Sequence, residues 1–128
     1  MIFVTASHCR EELAKLTQLL LSAFPGSTIY QHAELYRVPH DVLRNRVNAV
    51  LLDAEMDQSN GLDVVRMLRK QKTNVPVFMI AKADDFREEA LDAGADGYFV
   101  LSDSEELLLE AIQSAKTRKL YHDGLCPE

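Results

Sequence analysis

Asp53 follows the apolar run Val50-Leu51-Leu52, and two further acidic residues, Glu55 and Asp57, stand in the segment after it. Oxygen donors of this kind suit a hard divalent cation. Without a cation among them, three neighbouring carboxylates repel one another and any incoming anion. Lys82 has a flexible stem long enough to turn an ammonium toward such a group, although an exposed loop lysine is the simpler expectation. His8 and Cys9 are adjacent and of metal-ligating or redox-active type. No second His or Cys stands at ligand spacing, so an exposed loop pair is expected there.

The elements that must position these groups belong to a chain of 128 residues, with 47% hydrophobic and 27% charged residues. That is enough for one self-folding domain. A net charge of −6 opposes sequence-independent binding to nucleic acid, which needs a concentrated basic surface. The basic clusters from Arg66 to Lys72 and from Lys116 to Lys119 are expected as solvated helix faces. Cys9 and Cys126 form no metal-ligand pattern, so reduced thiols are expected. The start Met1-Ile2-Phe3-Val4-Thr5 resembles neither a leader peptide nor a membrane span, which makes the cytoplasm the expected location.

Short apolar runs alternate with segments of helical period. The runs are Ile2 to Val4, Ser27 to Tyr30, Ala49 to Leu52, Val75 to Ala81 and Gly97 to Leu101. The third and fourth are continuously apolar, as strands covered on both faces are, and Pro76 is expected at a strand start. The first helix carries Leu13, Leu16, Leu20 and Phe24 and stops at Pro25-Gly26. The second has Pro39 in its first turn and Val42, Leu43 and Val47 as its apolar contacts. The third is predicted to start at an Asn60 cap and to turn Val64, Met67 and Leu68 inward and Arg66, Arg69 and Lys70 outward. The fourth starts at Asp84 or Asp85 and ends at Gly94. The fifth follows a capping box at Ser102 or Asp103 and carries Leu108, Ala111, Ile112 and Ala115. The expected division is a domain over residues 1–119 and a tail or linker remnant over 120–128.

The segment from Val50 through Asp53 to Gly61-Leu62-Asp63-Val64-Val65 resembles the signature of response regulator receiver domains around their phosphorylated aspartate. The similarity continues through Val75-Pro76-Val77-Phe78-Met79-Ile80 and Ala90-Leu91-Asp92-Ala93-Gly94-Ala95-Asp96-Gly97-Tyr98. The resemblance implies a flavodoxin-like (βα)5 doubly wound α/β fold, with a five-stranded parallel sheet of order 2-1-3-4-5 and helices on both faces. It implies that Asp53 is the phosphoacceptor position for a histidine kinase. Family members hold Mg²⁺ with two acidic residues after strand one, the acceptor and a carbonyl two residues beyond it.

The chain departs from that pattern. The acidic pair is expected at Thr5 and Ala6, the hydroxyl that binds phosphoryl oxygens at Ala81, and the lysine at Leu101. None of these four residues supplies the group in question. Ser102 and Asp57 stand where proline is common. Asp53 and the Glu55 carbonyl are the family-type metal ligands that remain, so no metal or other cofactor is expected, and any Mg²⁺ binding would be weak. Tyr98 takes the position of the aromatic that changes rotamer on activation. With Ala81 lacking the trigger, Tyr98 is expected as a packing residue or a half-buried aromatic in a partner contact.

Three functions fit these residues. The first is a non-enzymatic pseudo-receiver of a two-component phosphorelay. It would act through a histidine kinase or another signalling protein, or as a homodimer through the face of helix four, strand five and helix five, with no direct nucleic-acid or membrane contact. The second is a working phosphoswitch modified on Asp53. The third is a flavodoxin-like nucleotide binder or enzyme, which would need a phosphate-cradling loop after strand one, where Thr5-Ala6-Ser7-His8-Cys9 contains no glycine.

Overall fold

The computed structural model describes residues 1–7, 9–33, 37–44, 46–53, 60–71, 74–81, 87–100 and 105–115, excluding the side chains of residues 43, 44, 60 and 61. In chain order the elements are β1 (Ile2–Ala6), α1 (Arg10–Ala23), β2 (Thr28–His32), α2 (Arg37–Arg44), β3 (Ala49–Asp53), α3 (Asn60–Lys70), β4 (Val77–Ala81), α4 (Arg87–Ala93) and β5 (Gly97–Val100). Residues 105–115 are helical and form α5. The strands make one sheet of order β2-β1-β3-β4-β5, parallel at every pairing, which is the doubly wound order the sequence resemblance implied.

Alternate residues of each strand feed two cores. Val4, Val50, Leu52, Val77 and Met79 pack with α2, α3 and α4 residues such as Val42, Val65 and Ala90. Phe3, Leu51, Phe78 and Ile80 pack on the other face with Leu16 and Leu20 of α1 and Leu108 and Ile112 of α5. Both faces of β3 and β4 are therefore dry, which accounts for their unbroken apolar runs. The edge strand β2 is largely exposed and carries Thr28, Tyr30 and Gln31 at its surface. Its last residue, His32, pairs through Nε2 with the Asp41 carboxylate of α2.

Several boundaries differ from the sequence reading. β1 runs two residues past Val4, because pairing with both β2 and β3 continues through Ala6. β4 starts at Val77 and not at Val75. Pro76 has no N–H to contribute, and its carbonyl accepts from Val50 N–H at 2.9 Å. Asn60 is already helical. The N-caps expected at Asp84 or Asp85 and at Ser102 or Asp103, and the tail from Leu120 to Glu128, lie outside the described residues.

On α3 the inward and outward assignments of two residues are reversed. Leu62, Val64, Val65 and Leu68 are buried, whereas Met67 is 45% exposed. At 100° per residue these four buried positions define an arc that leaves Met67 outside and includes Arg69. The Arg69 guanidinium is not solvated as expected. It donates from Nε to the Gly94 carbonyl at 2.9 Å, from Nη1 to the Val75 carbonyl at 2.9 Å and from Nη2 to Asp96 Oδ2 at 2.8 Å. Asp96 Oδ2 also accepts the Val77 N–H at 2.8 Å, so one carboxylate joins the start of β4 to the turn before β5.

That turn is shaped by a Schellman ending of α4. Ala95 N–H bonds to the Ala90 carbonyl, and Gly94 N–H to that of Leu91. Gly94 has φ +113°, and a Cβ there would stand 2.8 Å from Arg69 Cγ. Replacing Arg69 by Met is expected to cost about 2 kcal/mol in urea unfolding, with little recovery in Arg69→Lys, since an ammonium cannot span the three acceptors. Gly94→Ala is expected to destabilise as well. Its cost should be smaller in an Arg69→Ala background, where the Cγ that a Cβ at residue 94 would meet is gone.

Candidate functional site

The site lies where β1 and β3 end side by side. Ala6 is in register with Leu52, so the next residue along β1, Ser7, comes level with Asp53. Ser7 extends the β1–β2 ladder by one bond, donating its N–H to the His32 carbonyl at 3.1 Å. Its side chain is fully buried, while Asp53 is half-buried. The Ser7 hydroxyl lies 2.9 Å from Asp53 Oδ2 and 3.4 Å from Glu12 Oε2, and its oxygen accepts the Cys9 N–H at 3.1 Å.

This network follows from the local fold. Cys9 is the N-cap of α1 and makes no side-chain cap bond. Glu11 and Glu12 occupy the first turn, where carboxylates suit the positive end of the helix. The turn from β1 into α1 thus brings a hydroxyl, a backbone N–H and the Glu12 carboxylate to the end of β3.

The register relocates the positions assigned to an acidic pair. Thr5 is paired with Leu51 and Ala6 with Leu52, both short of Asp53. Thr5 is fully buried, and its Oγ1 has no hydrogen-bond partner among the described residues. Ala6 points the opposite way, into the core shared with α2, α3 and α4. The β1 residue beside Asp53 is Ser7, a position the sequence reading missed by ending the strand at Val4. Ala81 closes β4 one position beyond Ile80, the partner of Asp53, and offers a buried methyl group. His8, Glu55, Asp57, Lys82, Leu101 and Ser102 lie outside the described residues.

Tyr98 is 3% exposed and belongs to the core, which agrees with the packing alternative and not with a half-buried surface aromatic. Arg87 of α4 holds it from two sides, with its guanidinium carbon 5.2 Å from the ring centre and Nη1 donating to the Tyr98 carbonyl at 3.1 Å. No feature of the sequence pairs these two residues, which meet only because α4 folds back over β5.

Among the described residues, the group set directly against Asp53 does not fit a resident divalent cation. β1 brings a neutral hydroxyl whose proton faces the carboxylate where a cation would need an anionic oxygen, and the Glu12 carboxylate stands behind that hydroxyl, 3.4 Å from it. Deeper in the strand, the orphaned Thr5 hydroxyl costs the fold a desolvation penalty. Thr5→Val keeps its shape and is expected to raise unfolding stability by about 1 kcal/mol in a denaturant titration. A loss of stability would show that Thr5 has a polar role.

Comparison with known proteins places this geometry. A sequence model of the response regulator receiver domain matches residues 10–113. The chain is 33% identical over 109 residues to the nitrate/nitrite response regulator protein NarP of Escherichia coli (strain K12), covering 81% of this chain and 50% of NarP. It is 35% identical over 85 residues to the response regulator MprA of Mycobacterium leprae (strain TN), covering 65% of this chain and 37% of MprA. The chain thus spans half or less of the length of these relatives. The fold matches a response regulator receiver domain protein from Clostridium thermocellum with a TM-score of 0.79 at 20% identity, covering 92% and 95% of the two chains. It also matches a LuxR-family DNA-binding response regulator from Staphylococcus aureus with a TM-score of 0.77 at 23% identity, covering 90% and 98%. With the family match extending from α1 to α5, the chain belongs to the response regulator receiver domain family.

Proposed function

We propose that this receiver domain is a pseudo-receiver, a signalling module and not an enzyme, which works through protein contacts without Mg²⁺-dependent phosphorylation of Asp53. The observation that carries the reading is the hydrogen bond from Ser7 to Asp53. The end of β1 gives the aspartate a neutral donor where phosphoryl transfer calls for a cation to neutralise developing charge. Ala81 adds no hydroxyl at the end of β4. The partner in this reading is a histidine kinase or another signalling protein in the cytoplasm. No helix among the described residues is long and apolar enough to cross a membrane.

The contact face of this reading is formed by α4, β5 and α5, where a second copy of the chain is one occupant. Leu91 of α4 and Leu107 of α5 are 47% and 57% exposed there. Arg87 fastens α4 to β5 through Tyr98, which favours one fixed form of the face. Direct contact with nucleic acid is not assigned to this domain. An output segment such as the DNA-binding part of a longer regulator would perform it.

The test is incubation with Mg²⁺ and either acetyl phosphate or beryllofluoride, followed by intact mass and amide NMR. The expected result is no change in mass or spectrum on incubation, for the native chain and for Asp53→Asn alike. A phosphoryl mass gain or a spectral change that disappears in Asp53→Asn would establish a working phosphoswitch instead.

A further inference from the structure

The geometry points to Ser7 as a positioning residue whose hydroxyl proton occupies Asp53 in competition with a divalent cation. This deepens the pseudo-receiver reading and rests on it for the identity of Asp53 as the acceptor position. The hydroxyl has one proton and two lone pairs. One lone pair takes the Cys9 N–H at the start of α1, which fixes the rotation of the group. The proton then has two acceptors in reach, Asp53 Oδ2 at 2.9 Å and Glu12 Oε2 at 3.4 Å, and the shorter contact goes to Asp53. Hydrogen bonds to ionised acceptors are the stronger kind, and this one is made by a fully buried donor.

A cation approaching Oδ2 must turn this proton away. The buried Ser7 hydroxyl then loses its acceptor or turns to the longer Glu12 contact, in addition to the cost of dehydrating the metal. The serine thus raises the cation concentration at which the pocket fills. Two alternatives make opposite predictions. If Ser7 Oγ were itself a metal ligand, removing it would weaken binding. If Ser7 only filled space, removing the hydroxyl would leave the affinity unchanged.

Mn²⁺ binding, followed by water-proton relaxation on the full chain, separates these cases, with Asp53→Asn as the control for site occupancy. Ser7→Ala is expected to bind Mn²⁺ about fivefold more tightly than the native chain, the change that loss of one competing hydrogen bond produces. Ser7→Thr retains the hydroxyl and is expected to restore native affinity, which a purely volumetric effect would not do. Ser7→Asp adds a carboxylate level with Asp53 and is expected to bind most tightly. If Ser7→Ala does not fold, Ser7→Cys, a weaker donor of similar shape, replaces it and is expected to shift in the same direction.

An affinity equal to or below that of the native chain in the hydroxyl-free variant overturns the inference, whether both affinities are weak or strong. The result is separable from the phosphorylation test. Phosphorylation of the native chain would end the pseudo-receiver reading, yet tighter Mn²⁺ binding in Ser7→Ala would still identify Ser7 as the competitor.

Discussion

The register of two parallel strands governs the functional end of this molecule. Because Ala6 pairs with Leu52, the next step along each strand brings Ser7 and Asp53 together where both ladders stop. Parallel strands cannot slip by one residue without turning every side chain to the other face, and both faces here are packed. The two cores therefore hold the hydroxyl against the carboxylate. A serine at this place is neutral and carries its own proton, so Asp53 finds a partner within the fold.

The opposite half of the sheet is secured by charge in addition to its apolar packing. Arg69 reaches from α3 to the approach to β4 and to the turn after α4, and Asp96 returns the connection to Val77. Gly94 leaves room for it, by its left-handed conformation and its missing side chain. Arg87 makes a second fastening between α4 and β5 through the ring and carbonyl of Tyr98. Together these contacts fix α4, whose Leu91 side chain faces outward on the proposed contact surface.

Much of the fold could be read from residue patterns, because apolar runs and helical periods report burial directly. The stripe of Leu13, Leu16 and Leu20, the doubly covered β3 and β4 and the glycine after α4 all follow from local chemistry. Where β1 ends could not be read locally, since it depends on how far two other strands continue beside it. Counting from Val4 put the pocket at Thr5 and Ala6, while the pairing puts it at Ser7. Arg69 shows the same limit in another form. A guanidinium on a helix next to Lys70 resembles surface until the fold brings three oxygen acceptors from distant segments to it.

The central claim is that Asp53 is held by an internal hydroxyl and not by a metal ion. A crystal structure of the chain grown at millimolar Mn²⁺, with an anomalous difference map at the manganese edge, tests it most directly. The account predicts Ser7 Oγ within hydrogen-bond distance of Asp53 Oδ2 and no anomalous peak bonded to that carboxylate. A peak bonded to Asp53, with the Ser7 hydroxyl turned away from it, would contradict the account.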